Sequence, residues 1–304
     1  MLFIAVFLCV CTLGYLAQTT GLCMVRGVRE FKSGHREYLL AVLFSGTLAW
    51  VAGVFSYATD FPLHYTTYTL SVWFVFGGFI FGVGSSINAA CGVFTLGKLI
   101  RGDFRMVLTV VGWLIGWSIL AYWSPDKELV KMDSLPGDIN VLLLVLESLI
   151  IITWVFFGDR KRQKLWFGMM GIGLLAGFVY LYQPKWPPSA LLHQLSQVLI
   201  NNNAYALPST EQYILFVALL LGLFVAAWRK KKFQVVRPTI KSGFVHIFAG
   251  TLMGIGASLA LGGNSIHLLA GLPTFSPAGV GAIVGILVGI WSGFYIKKYV
   301  NFFN

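Results

Sequence analysis

The chain has 304 residues, of which 57% are hydrophobic and 11% charged, whereas a soluble domain is about a quarter charged. Charge this sparse suits a bilayer, where an ionised group in hydrocarbon is costly, and it excludes an ordinary soluble domain. The net charge of +11 does not call for a nucleic-acid partner, because the basic residues lie in loops between apolar runs and set membrane topology there.

A transmembrane helix needs roughly 20 apolar residues. In chain order the candidates are 2–18, 38–58, 69–86, 105–123, 139–157, 165–182, 212–228, 245–262 and 275–296. The first begins MLFIAVFLCVCTLG. It has neither a basic leading segment nor a small-residue cleavage site, and reads as a retained span. Four cysteines, Cys9, Cys11, Cys23 and Cys91, lie in or beside apolar segments. None falls in a polar outer loop, so free thiols are expected and not a disulfide framework.

Basic residues follow every odd-numbered span. They are Arg26, Arg29, Lys32 and Arg36, then Lys98, Arg101 and Arg105, then Arg160 to Lys164, then Arg229 to Lys241, and last Lys297 and Lys298. That places 19 of the 22 Lys and Arg on one side. The alternate connections hold Lys127, Lys131 and Lys185 with Asp60, Asp126, Glu128, Asp133, Asp138 and Glu211. The positive-inside rule then sets the N-terminus outside and the C-terminus in the cytoplasm. The run Arg229-Lys230-Lys231-Lys232 reads as orientation signal and lipid-headgroup contact.

Two segments repeat. Cys23 to Gly34 and Cys91 to Gly102 each set a cysteine, a short basic amphipathic stretch and a glycine eleven positions on, ahead of a full span. Both are too short and charged to cross the bilayer, and read as half-helices that dip in from the cytoplasmic side, N-terminus deepest. A weaker echo stands at Gly262 to Pro273 and at Pro187 to Leu192. The expected architecture is one all-α membrane domain over 1–304. Residues 1–124 form a first half, 139–157 a connector helix, and 165–296 an inverted second half. Inverted repeats with broken helices are a transporter plan, and irregular backbone at that depth must line a cavity or be buried in protein.

At these residues the chain resembles the YeeE/YedE family of sulphur-transport membrane proteins. The likeness is carried by Gly21-Leu22-Cys23, by Ala89-Ala90-Cys91-Gly92 through Arg101-Gly102-Asp103, and by Gly262-Gly263-Asn264 through Gly271-Leu272-Pro273. The resemblance implies an hourglass fold and passage of a sulphur oxyanion past cysteines near the constriction. It further implies three such cysteines in thiosulfate importers. Cys23 and Cys91 match two of them, and Gly262, Gly263 and Asn264 occupy the comparable turn of the second half. Thiosulfate is the first expectation; a persulfide, sulfite or a selenium-containing relative remains open.

The chemistry fits a small anion. A helix N-terminus offers unpaired N–H groups and about half a positive charge, and a thiol there is a weak donor. The same positive end favours the thiolate. Simple conduction favours the neutral thiol, whereas a persulfide relay to a cytosolic sulfur-carrier protein favours the thiolate; both readings stand. Cys9 and Cys11 read as small buried hydrophobes. Asn88, Gly92, Gly263, Asn264 and Ser265 complete the expected pore, with helix capping equally open to the two asparagines. His267 reads first as a structural hydrogen-bonder. Arg26, Lys98 and Arg101 serve either as positive-inside anchors or as a vestibule that draws the anion inward. Glu147 is the acidic residue well inside a span, and reads either as a proton-coupling carboxyl or as a structural one. Sequence shows no P-loop lysine motif, HExxH pair or metal-ligand cluster. Neither cofactor nor enzyme activity is expected, and the partners are the anion and the bilayer.

Overall fold

A computed structural model of the chain describes residues 2–59, 66–123, 130–132, 137–200 and 207–299. Asp60, Asp126, Lys127, Glu128 and Asp133, which the sequence sets on the outer side, lie outside the described residues. The fold is almost entirely helical. Among the described residues nine segments are long and apolar enough to cross a membrane, as the hydropathy pattern predicts.

The first segment is α1 (Leu2–Thr20) followed after a break by α2 (Met24–Lys32). The second is split into α3 (Glu37–Leu43), a 3-10 turn at Phe44–Gly46, and α4 (Ala49–Thr59). The third is α5 (Val72–Asn88) and, after a second break, α6 (Gly92–Ile100). Then come α7 (Arg105–Tyr122), α8 (Gly137–Phe156) and α9 (Arg160–Tyr182). The short α10 (Pro188–Ile200) precedes α11 (Thr210–Arg229) and α12 (Ile240–Leu259). A three-residue helix, α13 (Asn264–Ile266), and a π-helical turn (His267–Gly271) lead into α14 (Pro277–Tyr299). The two-residue strands β1 (Thr67–Tyr68) and β2 (Lys131–Met132) pair antiparallel.

Two departures from the hydropathy pattern have local causes. The predicted span 38–58 is interrupted where its backbone meets other elements too closely for side chains. A Cβ on Gly46 would stand 2.5 Å from Pro273 Cγ and 2.6 Å from the Leu268 carbonyl oxygen. The segment at Pro187–Leu192 is the start of a 13-residue helix. Proline is at ease in a first helical turn, where the missing N–H has no partner to lose. At 1.5 Å per residue, α10 is too short to span.

Contacts gather the basic segments onto one face. Arg162 pairs with Glu37 at 2.6 Å, and Lys230 Nζ donates to the Thr19 carbonyl at 2.9 Å. The Gln234 and Val236 amides donate to the carbonyls of Arg101 and Gly102 at 2.8 and 2.9 Å. Lys32 lies over the rings of Trp291 and Tyr295. Asp103 locks this face: burial works against its charge, but paired hydrogen bonds from Arg105 at 2.8 and 2.9 Å outweigh it and hold the carboxyl below its usual range. The opposite face carries the β1–β2 pair, Tyr182 bonded to Glu211, and Gln212 donating to the Lys185 carbonyl.

The helices meet through glycine. Lipid tails are as apolar as leucine, so helix association in a membrane rests on close packing of small residues. On α5 and α14, Gly78 and Gly82 face Ala282, Ile286 and Gly289. On α7 and α12, Gly112 and Gly116 face Gly250 and Gly254. A Cβ on Gly82 or on Gly116 would stand 2.3 Å from the carbonyl oxygen of Ile286 or of Thr251. No side-chain rotation relieves a clash with backbone. Gly82→Val and Gly116→Val are each expected to destabilise the fold by at least the about 1–3 kcal/mol typical of overpacking. The check is the thermal midpoint and monodispersity of the purified protein in detergent, both of which should fall.

Candidate functional site

Three chain breaks have one backbone form. At Gly21, Ala89 and Leu261 the chain turns through the left-handed region, with φ of 72°, 55° and 57°. In each case the next residue's amide reaches back five positions: Leu22 to Ala17, Ala90 to Ser85, and Gly262 to Ala257, at 2.9, 3.2 and 2.8 Å. That is the Schellman ending of a helix, which satisfies carbonyls otherwise orphaned at its C-terminus. The residue after is the N-cap of the next helix: Cys23 for α2, Cys91 for α6 and Gly263 for α13. Cys91 and Gly263 have nearly identical backbones, with φ, ψ of −88°, −176° and −82°, −177°. Gly263 therefore stands where the other two breaks carry a cysteine.

The two cysteines come together. Their side chains lie close enough to influence one another, the Cys91 thiol donates to the Leu22 carbonyl beside Cys23 at 3.9 Å, and both thiols are free and buried. Tyr38, from α3, holds the first break: its hydroxyl donates to the Gly21 carbonyl and accepts from the Cys23 amide. The guanidinium of Arg26 lies over the Tyr38 ring, 4.1 Å from its centre. Neither cysteine side chain has a capping hydrogen bond, so each N-terminus keeps donors free of side-chain caps.

Among the described residues, four cavities lie on the two sides of this pair. On the face opposite the basic one is an outer chamber of about 400 Å³, lined by Trp117, Ser189, His193, His267, Thr274 and Ser276 among others. Below it is a waist of about 30 Å³ between Phe81, Gly92, Trp113, Trp117, Gly263 and Asn264, with room for about one water molecule. Two chambers open beside the basic segments. One, of about 300 Å³, is lined by Asn88, Lys98, Arg105, Lys241, His246 and Lys297. The other, of about 130 Å³, is lined by Gln18, Gly21, Arg26, Arg101, Lys230 and Lys232. Neither cysteine lines any of the four. Their neighbours do, Gly92 at the waist and Ala89 and Gly21 at the two basic chambers, so the thiols sit in the partition between them.

The waist holds polar atoms with no hydrogen-bond partner. Trp113 Nε1, Ser189 Oγ and Asn264 Oδ1 are buried and unpaired, as is His267 Nε2 beside the outer chamber. A buried polar group left unpaired normally costs about 1–3 kcal/mol, and native exceptions call for an explanation. Trp113 and Ser189 offer donors to an anion. The amide of Asn264 does so when turned about its last torsion, since its O and N ends are interchangeable by shape. Asn264 Oδ1 would lie 3.5 Å from a Cβ at Gly92, so α6 and α13 meet N-terminus to N-terminus across the waist.

The remaining expected residues divide. Gly92, Gly263, Asn264 and Ser265 share the waist. Lys98 lines the larger basic chamber and donates to the Ala89 carbonyl at 3.0 Å, whereas Arg26 and Arg101 line the smaller. Arg26 is also paired with Glu30. Asn88 is spent on structure: its amide nitrogen donates to Ala90 O and Thr95 Oγ1, and its oxygen accepts from Thr109 at 2.7 Å. Glu147, on α8, faces the Thr47 hydroxyl at the α3–α4 break and lines none of the four cavities. Trp113, Ser189 and His246 are site residues that the sequence reading passed over. His246 had a usable signal, an ionisable side chain inside an apolar span. Ser189 had its place in the Pro187–Leu192 echo, and Trp113 had none. Among the described residues no three His, Cys, Asp or Glu gather as metal ligands.

Comparison with known proteins fits this geometry. The family described as sulphur transport matches residues 139–292. The chain belongs to that family. Across 344 aligned positions it is also 23% identical to the thiosulfate transporter TsuA of Escherichia coli (strain K12), covering 95% of this chain and 93% of that protein. The chain is thus a multi-pass membrane protein that transports a small solute. The family match covers the half that holds Gly263 and Asn264, while Cys23 and Cys91 lie in the half that only the longer alignment reaches.

Two outcomes follow from this geometry. Asn88→Ala strands a buried Thr109 hydroxyl and a His246 ring nitrogen, and should lower stability by about 1–3 kcal/mol, read as a fall in thermal midpoint. Gly263→Cys should fold normally, because its Cβ meets only Phe81 ring atoms at 3.4 and 3.6 Å. The expected change in stability is within about 1 kcal/mol.

Proposed function

We propose that the chain imports a small sulphur oxyanion, thiosulfate in the first instance. Its path leads from the outer chamber through the waist to the basic chambers, past the Cys23–Cys91 pair. The observation that carries this reading is the convergence of half-helix N-termini on the waist and the partition below it. Two of them bear neighbouring thiols, and unpaired polar atoms stand beside them. Helix N-termini stabilise an anion without a fixed cation that would trap it. Cationic chambers beyond the partition then attract the anion onward. The relative that shares 23% of its residues transports thiosulfate. In the same reading the basic face is cytoplasmic, so that α1 begins outside and α14 ends inside the bacterial inner membrane. Residues 1–124 and 165–296 are inverted halves about the 139–157 connector. The shared form of the breaks at Cys91 and Gly263 supports this pairing.

Energetics favours a path with chemical assistance. Carrying a dianion into a cell that is 100 mV negative inside costs about 4.6 kcal/mol, twice the value for a single charge. The nearness of the two thiols favours a second reading, sulfur relay. There a Cys23 or Cys91 thiolate attacks the outer sulfur of thiosulfate. The S–S bond of thiosulfate breaks, a cysteine persulfide forms, and sulfite leaves with the electron pair. The sulfur then passes to a cytosolic carrier.

The test is uptake of thiosulfate labelled in its outer sulfur, in cells lacking their own importers, at matched membrane levels of each variant. Wild type should accumulate label. Cys23→Ala and Cys91→Ala should each lose at least about tenfold, the equivalent of one lost charge-assisted hydrogen bond, and Trp113→Phe should lose less. Uptake unchanged in both cysteine variants would overturn the thiol path. Absence of wild-type uptake would overturn thiosulfate as cargo. Mass spectrometry of the purified protein after thiosulfate exposure separates the two readings. A stoichiometric adduct of one sulfur with release of sulfite means relay, and unmodified thiols with sustained uptake mean conduction.

A further inference from the structure

The larger basic chamber contains a histidine whose neutral tautomer the structure fixes. Asn88 Nδ2 donates to the Ala90 carbonyl, a group that can only accept, so the Asn88 amide has one possible orientation. Its oxygen lies 2.8 Å from His246 Nδ1 and is acceptor only. Nδ1 of His246 must therefore carry a hydrogen. Thr109 Oγ1, 3.3 Å away, completes the clamp. The ring takes up a further proton only at Nε2, and the ring lines the chamber.

The charges around that ring are of nearly one sign. Lys98 reaches the chamber from α6, Arg105 from α7 and Lys297 from α14, and Lys241 stands on the first turn of α12, the helix that carries His246. Asp103 is the carboxylate among them, and it is engaged by Arg105. With no anion present, a proton on His246 would add a further cation to this cluster. An anion among Lys98, Arg105 and Lys297 reverses the balance. The volume, about 300 Å³, is equivalent to about ten water molecules, enough for a small oxyanion with part of its hydration shell.

We propose that this chamber is a binding site for a small inorganic oxyanion, held by Lys98, Arg105 and Lys297, and that its occupancy is linked to uptake of one proton at His246 Nε2. The cargo of the proposed function is the intended occupant, so the proposal rests on that reading for the anion's identity but not for the linkage. The proton comes from, and returns to, the solvent of the chamber. Linkage is reciprocal: the anion draws the proton on, and loss of the proton releases the anion. Lys98 connects the site to the partition, because its ammonium also holds the Ala89 carbonyl in the turn before Cys91. His246 is thereby a release-control residue, and the chamber a station after the thiols.

The test uses the full chain in lipid nanodiscs of zwitterionic lipid with ¹⁵N-labelled histidine, the His246 signals being assigned with His246→Gln. Added thiosulfate at neutral pH should move the His246 ring signals toward their imidazolium positions, and should not do so in Lys297→Met. Thiosulfate stays a dianion between pH 6.5 and 8.5, so any pH dependence of its binding belongs to the protein. Wild-type affinity should fall at least about threefold over that range, for partial linkage of one proton, and should be nearly flat in His246→Gln. Unmoved His246 signals at saturating thiosulfate, or an unchanged pH dependence in His246→Gln, would overturn the proposal. Because the signals are read in the unaltered protein, a variant that fails to fold leaves the first readout standing. If thiosulfate is imported but the signals do not move, the linkage falls alone. If sulfate moves them and thiosulfate neither binds nor is imported, the cargo assignment falls and the chamber stands.

Discussion

Close approach of backbone to backbone is the condition on which the rest of this molecule depends. In lipid, apolar side chains gain little by leaving their neighbours, so the nine spans cannot be held by hydrophobic contact as a soluble core is. Glycines bring α5 against α14 and α7 against α12 until carbonyl oxygens occupy the space where a Cβ would stand. The same device sets α1 on α11, where Gly14 and Gly222 lie against each other's helix. These seams exclude lipid from the centre. Only inside such a seal can helices break and leave their ends open.

The open ends are then put to chemical use. A helix that stops at a Schellman turn satisfies its last carbonyls internally, whereas the helix that follows starts with free amides. The turn thus separates the two polarities: carbonyls are tied back and N–H groups point forward. At Cys23, Cys91 and Gly263 this arrangement recurs, and in the proposed function its asymmetry would attract negative charge without a lysine or arginine at the waist. Cationic side chains enter only past the partition, where Lys98, Arg105, Lys297, Arg26 and Arg101 line two separate chambers. Potential therefore steps from neutral to positive along the proposed direction of travel.

Much of this was legible in the residues. Nine spans follow from hydropathy because the bilayer demands the same apolar length each time. One basic face follows because charged loops avoid crossing. The cysteine turns showed through the Gly-Leu-Cys and Ala-Ala-Cys segments, and Gly262-Gly263-Asn264 marked the comparable turn. What escaped depends on contacts between distant parts of the chain. The interruption at Phe44–Gly46 arises from Pro273 and Leu268 pressing on Gly46, more than 200 residues away in sequence. The segment at Pro187–Leu192 showed as a weak echo of the half-helices, but the reach of its helix to Ile200 did not. His246 looked like one polar residue in an apolar run until Asn88, 158 positions earlier, was seen to fix its ring. Asn88 itself, expected at the pore, is consumed by four hydrogen bonds that only the folded chain assembles.

The waist has a consequence for selection among chemically similar anions. A space of about 30 Å³ holds about one water, so on the proposed path an anion would leave most of its hydration shell in the outer chamber. What replaces the shell is a fixed set of weak donors, namely backbone amides, an indole and a hydroxyl, walled by Phe81 and Trp117. Such a set compensates poorly for a compact anion that water grips tightly, and better for one whose charge is spread onto a large polarisable atom. Sulfate and thiosulfate differ in just this respect, one oxygen being exchanged for sulfur. In the proposed function the narrowness of the waist would thus act as a dehydration filter, ranking anions by how readily they give up water.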